Sequence, residues 1–237
     1  MRRALIVTID GPAGAGKSSI ARALATHMNY VLVDTGALYR TVALAAMRGC
    51  LNLVEQSEQV STLASELATQ RAIQLVPDAA AGGVRVELRG EDVSLAIRTP
   101  EIALGASVVS AYPGVRDALL SLQRQAGEHG GVVLEGRDIG TVVFPHADVK
   151  FFLTASAEER ARRRHDELVA TGSDASYADT LRDVQERDDR DIRRTVAPLR
   201  QAIDARLIDS TGRTLQEVIA QMMSIVEARA TVPPPAC

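Results

Sequence analysis

The sequence predicts an α/β fold: a phosphate-loop (P-loop) parallel five-stranded sheet with helices on both faces. Three observations predict it. Gly11-Pro12-Ala13-Gly14-Ala15-Gly16-Lys17-Ser18 fits the pattern G-x-x-x-x-G-K-[ST]. The apolar run 4–9 precedes it, and Ile20, Ala21, Leu24, Ala25 and Met28 follow at helical spacing, so the loop joins a buried strand to a helix. Further short apolar runs then alternate with helical patterns, as parallel strands and their crossover helices do.

Taken in order, Tyr30-Val31-Leu32-Val33 is the second strand, and Leu38, Val42, Leu44 and Ala45 mark the helix after it. From Leu51 the pattern changes. Val60, Leu63, Ala64 and Leu67 mark a helix, and Ile73, Leu75 and then Val84, Val86, Leu88 form alternating runs. With a tight turn at Arg89-Gly90 into a short strand, this segment reads as a small antiparallel insert. Thr99-Pro100-Glu101 is a helix start, with Thr99 as cap, and Pro113 opens another helix carrying Val115, Leu119, Leu122 and Ala126 inward. Val132-Val133-Leu134, the run 149–153 and Arg206-Leu207-Ile208-Asp209 complete the strands, and a last helix runs over about 214–228. The charged stretch 157–194 is read as a polar, mobile cover, and 231–237, with Pro233-Pro234-Pro235, as a disordered tail.

The 237 residues suit one domain with inserts. A net charge of −3, no Trp and 3% aromatics exclude a basic or stacking surface for nucleic acid. Cys50 and Cys237 lie far apart with no framework, which reads as thiols in a cytoplasmic, reducing compartment. Arg2-Arg3 before an apolar run resembles a signal peptide, but the run breaks into the P-loop, and no apolar stretch approaches the length of a membrane span. Lys17 and Lys150 are the only lysines.

In a parallel sheet, ligands collect beyond the C-terminal strand ends. Three sets of residues there carry acids: Asp34-Thr35, Glu135 to Asp138, and Asp209. Each acid is either a ligand, for Mg²⁺ through water, or a cap for the next helix; for Asp209 the cap is preferred. In the P-loop, backbone N–H groups wrap an anion, Lys17 reaches terminal phosphates and Ser18 offers its hydroxyl to Mg²⁺. Two arginine clusters, Arg160, Arg162, Arg163, Arg164 and Arg187, Arg190, Arg193, Arg194, are open to two readings. One is solvated helices with Glu158–Arg162 and Glu159–Arg163 pairs; the other is a lid closing over polyphosphate. No His or Cys is placed by these motifs, so no general base is at hand. A phosphate acceptor, mostly dianionic at neutral pH, needs positioning and charge neutralisation rather than a base.

The chain resembles the bacterial cytidylate kinases of the nucleoside monophosphate kinase family, from the P-loop nearly to the C-terminus. The resemblance rests on Asp34-Thr35-Gly36-Ala37-Leu38-Tyr39-Arg40, Ile97-Arg98-Thr99-Pro100-Glu101, the run from Glu135-Gly136-Arg137-Asp138 to Phe144-Pro145, and Glu186-Arg187-Asp188-Asp189-Arg190-Asp191. It implies transfer of the γ-phosphoryl of ATP to CMP or dCMP, with Mg²⁺, by a cytoplasmic monomer that binds neither nucleic acid nor membrane. By this resemblance Ser107, Arg116 and Asp138 face the cytosine base, whose N4 donor and N3 and O2 acceptors they complement. Thr35, Arg40, Arg137 and Arg194 lie at the acceptor phosphate, and Arg187 and Asp191 at the ribose. Gly11, Pro12, Ala13, Gly14, Ala15, Gly16, Lys17, Ser18 and Ser19 hold ATP, with Ser18 on the metal and Lys17, Arg137 and Arg160 as catalytic residues. Thr35 and Glu135 stand where some relatives have Ser and Asp. The implied division is one kinase domain over 1–230: a core of about 1–50, 130–156 and 195–230, a monophosphate-binding insert of about 51–129 and a lid of about 157–190. A GTP-dependent switch fits poorly, since neither lysine lies in an Asn-Lys-x-Asp guanine reader. Another small-molecule kinase, of shikimate or gluconate type, would share the loop and lid but not the run from Glu135 to Pro145.

Overall fold

Side chains of a strand alternate between its two faces, and the interior strands here bury residues on both, mostly apolar but with Thr8, Asp10, Glu135 and Lys150 among them, so the sheet must be covered twice. The structure, a computed structural model, describes residues 4–78 and 83–231. Arg2-Arg3, Cys237 and all of the expected tail except Thr231 lie outside the described residues. In chain order the elements are β1 (Ile6–Asp10), α1 (Lys17–Met28), β2 (Val31–Asp34), α2 (Gly36–Arg48), α3 (Ser57–Thr69), β3 (Ile73–Asp78), β4 (Gly83–Leu88), β5 (Glu91–Asp92), α4 (Pro100–Val109), α5 (Pro113–Gln125), β6 (Val132–Gly136), β7 (Val149–Thr154), α6 (Ala157–Ala170), α7 (Tyr177–Arg193), β8 (Arg206–Asp209) and α8 (Leu215–Ala230). A 3₁₀ turn at Ala96–Arg98 and a π-turn at Ile139–Val143 complete them.

The main sheet has the order β2-β6-β1-β7-β8, all pairs parallel, as the sequence predicts. Leu5, Val7 and Ile9 join Val149, Phe151 and Leu153 on the face packed by α1 and α8. On the other face Val33, Val132 and Leu134 meet Ile139 and Val143 of the π-turn, with Ile6 and Leu120 alongside. The expected small antiparallel sheet is β3-β4-β5. Its Ile73, Val86 and Leu88 form a further core with Leu38 and Val42 of α2, Val60 and Leu67 of α3 and Leu119 of α5.

The helix starts follow local chemistry. Thr99 accepts the Ile102 N–H at 3.3 Å with Pro100 in the first turn, and Thr214 and Glu217 form a reciprocal capping box at α8. The charged stretch after β7 is not a loose cover but the two helices α6 and α7, capped by Ser156 and Ser176. They meet through an edge-to-face contact of His165 with Tyr177 and through the Arg160–Asp188 pair. The π-turn has no counterpart in the sequence pattern. Its residues, Ile-Gly-Thr-Val-Val, read equally well as a strand, and only packing across β1 decides the matter.

The register aligns Asp34 with Glu135 and Asp10 with Gly136, so the P-loop, Asp34 and the segment from Glu135 to Asp138 leave the sheet along one edge. Gly11 makes this edge possible. A Cβ there would lie 1.9 Å from the Leu153 carbonyl oxygen of β7, so no other residue lets the loop turn so close to the neighbouring strand. Phe151, in the same strand, is the largest of the fully buried side chains among the described residues. Phe151→Ala should lower unfolding free energy by roughly 3–5 kcal/mol, read by circular dichroism in urea because the chain has no Trp.

Candidate active site

The P-loop runs from the end of β1 into α1. Lys17, 6% exposed, donates from Nζ to the Pro12 carbonyl at 2.6 Å, bending back over its own loop. Burial drives its amine well below the usual lysine range, and the nearby Arg137 and Arg187 push it the same way. Ser18 and Ser19 are exposed in the first turn of α1. Arg160, 4% exposed, is seated on the loop. It donates to the Ala13 carbonyl at 3.1 Å, to the Ala155 carbonyl at 2.9 Å and through both terminal nitrogens to Asp188 of α7 at 3.0 and 2.5 Å. Arg163 reaches Ser210 Oγ and the Ser210 carbonyl from one helical turn further on.

Beside the loop stands a pair of acids. Ser18 Oγ donates to Glu135 Oε2 at 2.9 Å. Burial, reinforced by the charge of Asp34, pushes the Glu135 carboxyl up to about 7. Asp34 in turn accepts from Arg40 Nη2 at 2.5 Å. Thr35 and Asp34, open as helix caps on sequence, do not cap α2 through their side chains: the Thr35 hydroxyl donates to the Glu135 carbonyl at 2.8 Å. Asp209 is likewise no cap for α8. It accepts from the Thr211 N–H and hydroxyl in a local turn, and Thr214 caps the helix.

Around the next corner lies a dense cluster of opposite charges. Asp138, 5% exposed, pairs with Arg116 Nη2 through a short contact and with Arg194 Nη2 at 3.4 Å. Arg116 also donates to the Ser110 carbonyl, and its guanidinium lies 5.5 Å from the Tyr39 ring centroid. Tyr39 is held from behind by Gln123 Nε2. Arg137 Nε donates to Asp191 at 2.8 Å. Burial opposes the charge on Asp191, but Arg137, Arg187 and Arg194 together hold its carboxyl below the usual range. Burial, then Arg137, lower the Arg187 guanidinium to about 10. Three buried polar atoms here have no partner: Ser107 Oγ, Arg40 Nε and Arg187 Nε. Such atoms are rare in folded proteins; Thr8 Oγ1 and His165 Nδ1 are the others among the described residues.

Of the residues singled out in the sequence, the fold gathers Lys17, Ser18, Thr35, Arg40, Arg116, Arg137, Asp138, Arg187, Asp191 and Arg194 around one edge, with Ser107 at the end of α4. Arg160 is seated on the P-loop itself, at the Ala13 carbonyl, and pairs with Asp188 of α7. The two arginine clusters each divide. Arg187 and Arg194 turn inward, whereas Arg190 and Arg193 are exposed. In α6, Arg160 and Arg163 turn to the loop, and Arg162 and Arg164 pair with surface acids. Glu159–Arg163 forms at 2.9 Å, but Arg162 takes Glu159 and Asp166 instead of Glu158, because Glu159 lies between both arginines. Sequence reasoning missed Asp10, the acid that ends β1, although the same strand-end rule that selected Asp34 and Glu135 would have found it. Burial raises its carboxyl to about 6 against the pull of the Gly140 and Ile139 N–H groups. It also missed Asp188, Tyr39 and Gln123, whose partners come from distant elements.

Comparison with known proteins places this geometry. A family model described as cytidylate kinase matches residues 7–228. A cytidylate kinase of Syntrophotalea carbinolica is 51% identical over 98% of this chain and 96% of its own length. One of Geobacter sulfurreducens is 51% identical over 98% and 97%, and one of Mannheimia succiniciproducens 45% over 98% and 100%. Among solved structures, an uncharacterised protein of Eubacterium ventriosum superposes with a TM-score of 0.50 at 12% identity, covering 94% of this chain and 99% of its own, a likeness of fold alone.

The raised Glu135 carboxyl has a stability consequence. Its folded value of about 7 lies above its ordinary value of 4.5, so the folded chain binds this proton more tightly than the unfolded one, and stability falls as pH rises between the two. Glu135→Gln, which keeps an acceptor for Ser18, should remove that slope and make the ligand-free protein more stable than wild type at pH 8 by roughly 1–3 kcal/mol. At pH 4.5 the two should be alike, in urea titrations at both pH values.

Proposed function

Because the chain belongs to the cytidylate kinase family, we infer that it is a phosphotransferase of pyrimidine nucleotide metabolism, moving the γ-phosphoryl of ATP to CMP or dCMP to give CDP or dCDP and ADP. The shikimate- or gluconate-kinase alternative is set aside on the same ground. The observation that carries this reading to individual residues is the set of partnerless buried atoms, Ser107 Oγ, Arg40 Nε and Arg187 Nε, all on the acceptor side of Lys17.

In this reading the P-loop, Gly11 to Ser19, holds the ATP phosphates. Lys17 exchanges the Pro12 carbonyl for a phosphate oxygen, which restores the charge that burial disfavours. Arg40, Arg137 and Arg194, with Thr35 nearby, take the acceptor phosphate, and Arg187 and Asp191 the ribose. Asp138 accepts from the cytosine amino group while Arg116 and Ser107 donate to its acceptors; uracil would set a carbonyl against Asp138. The acceptor oxygen is already anionic, so these residues position and neutralise rather than remove a proton. Arg160 has one terminal N–H not engaged by protein, and it contacts the transferring group by giving up part of its hold on Asp188. The hairpin of α6 and α7, about 157–190, serves as the lid that excludes water, and about 51–129 as the acceptor-side insert.

The residues fit Mg²⁺. Ser18 Oγ and Glu135 lie together, Asp34 adds charge, and no group of three His, Cys, Asp or Glu side chains capable of holding a metal occurs among the described residues. That suits an ion that keeps water and binds phosphates. Ser18 would hold the ion, with Glu135 beside it, and bound Mg²⁺ would supply charge neutralisation at the phosphate oxygens. A family whose reaction is on small nucleotides, with a net charge of −3 on the chain, supports a cytoplasmic enzyme acting on small molecules rather than on nucleic acid or membrane.

A coupled ADP-release assay with ATP·Mg²⁺ and a panel of CMP, dCMP, UMP, AMP, GMP and shikimate tests the reading. CMP and dCMP should turn over fastest; equal turnover of AMP or shikimate would sink it. Asp138→Asn, whose amide can donate to a uracil carbonyl, should cut kcat/KM for CMP by about 10²-fold or more and erase the preference over UMP, with the KM for ATP kept. Unchanged CMP selectivity would move the base reader elsewhere.

A further inference from the structure

We propose that Asp10 is a positioning residue that fixes the acceptor half of the site relative to the P-loop; the proposal rests on the reading that Arg137 and Asp138 face CMP. Asp10 is the last residue of β1, and Gly11 opens the loop directly after it. Its carboxylate is 4% exposed and both oxygens are used: Oδ1 accepts the Ile139 N–H at 2.8 Å and Oδ2 the Gly140 N–H at 2.7 Å. These are the first two amides of the π-turn, which have no partner within it.

The placement matters because the sheet ladder stops short of the residues concerned. β6 pairs with β1 only as far as Asp10 and Gly136. Arg137 and Asp138 follow beyond the ladder, between Gly136 and the two amides that Asp10 holds. The Arg137–Asp138 dipeptide is thus pinned at both ends to the terminal residue of β1, once by strand pairing and once by a carboxylate. Lys17 and Asp138 are both near enough to act electrostatically on Asp10.

Gly140 supports the same picture. A Cβ on it would sit 3.0 Å from Thr8 Oγ1, 3.2 Å from Lys150 Cδ and 3.3 Å from Asp10 Oδ2. The turn can press its amides onto Asp10 because that residue carries no side chain. Thr8 and Asp10 lie on the same face of β1, two residues apart, and the turn lies across both. An amide in place of the carboxylate would keep one acceptor and set an N–H₂ against the other backbone N–H, so Asn is not an equivalent.

The test is steady-state kinetics on the full chain with Asp10→Asn, varying CMP and ATP separately, beside a thermal melt. The KM for CMP should rise about tenfold or more, with the CMP-to-UMP preference reduced and the KM for ATP within about twofold of wild type. A melt unchanged while the CMP constants shift would separate positioning from general support. Equal losses toward CMP and ATP, or no change in either, would overturn the proposal. Should Asp10→Asn not fold, Gly140→Ala perturbs the same contact from the other side and carries the same expected split. In wild type, amide exchange at Ile139 and Gly140 should slow when CMP is saturating and not with ATP alone; equal exchange with and without CMP would overturn the proposal without any variant. Wild type that fails to turn over CMP would instead defeat the reading beneath it.

Discussion

The constraint on which the rest depends is positive charge confined in a dry cleft. Burial, and after it the charge of Arg137, lowers both the Lys17 amine and the Arg187 guanidinium. A fold tolerates such crowding only if acids share the space or an anionic ligand completes it. Here Asp191 lies among three of the arginines, and Asp138 takes Arg116 and Arg194, while Arg40 and Arg187 each keep a buried nitrogen unpartnered. The neutralisation is therefore incomplete, and a kinase acting between two phosphate-bearing substrates has this need built into its ligand-free form.

The opposite imbalance lies a few ångströms away. Glu135 and Asp34 crowd negative charge beside Ser18, and Asp10 lies buried at the end of the neighbouring strand; burial raises both Glu135 and Asp10. Lys17 feels both signs of charge, Arg137 and Arg187 lowering its amine and Glu135 and Asp191 opposing them. Second contacts hold each charged group at a fixed distance. Tyr39 and Gln123 back Arg116, Asp188 backs Arg160, and the π-turn amides back Asp10. Rigid placement of this kind is what charge stabilisation during phosphoryl transfer calls for, since groups already oriented need not reorganise.

Much of this was legible along the chain. The P-loop, the five parallel strands and the antiparallel insert follow from apolar periodicity and from Gly and Pro punctuation, because burial on two faces demands continuous apolar runs. The cap at Thr99 was equally readable, since a cap is a contact between residues three apart, whereas at α8 the expected Asp209 gave way to Thr214. The π-turn was not: its five residues carry no signal that separates a strand from a turn. Nor was the division of each arginine cluster, because which side of α6 or α7 meets the P-loop depends on where the sheet edge lies.

By itself, then, the sequence determined the strand order's raw material, the phosphate-binding loop and the family to which the chain belongs, all of them properties of residues close in sequence or of motifs that survive as strings. Only the tertiary structure decided the roles that depend on distance across the fold. It turned Asp34 and Thr35 from possible helix caps into partners of Arg40 and Glu135, seated Arg160 on the loop at the Ala13 carbonyl and tied it to Asp188 of α7, and brought Asp10 beneath residues 129 and 130 positions later. The physical reason is that a hydrogen bond or ion pair is chosen by the few ångströms between two groups, and a parallel sheet sets those distances by register, which no local pattern encodes.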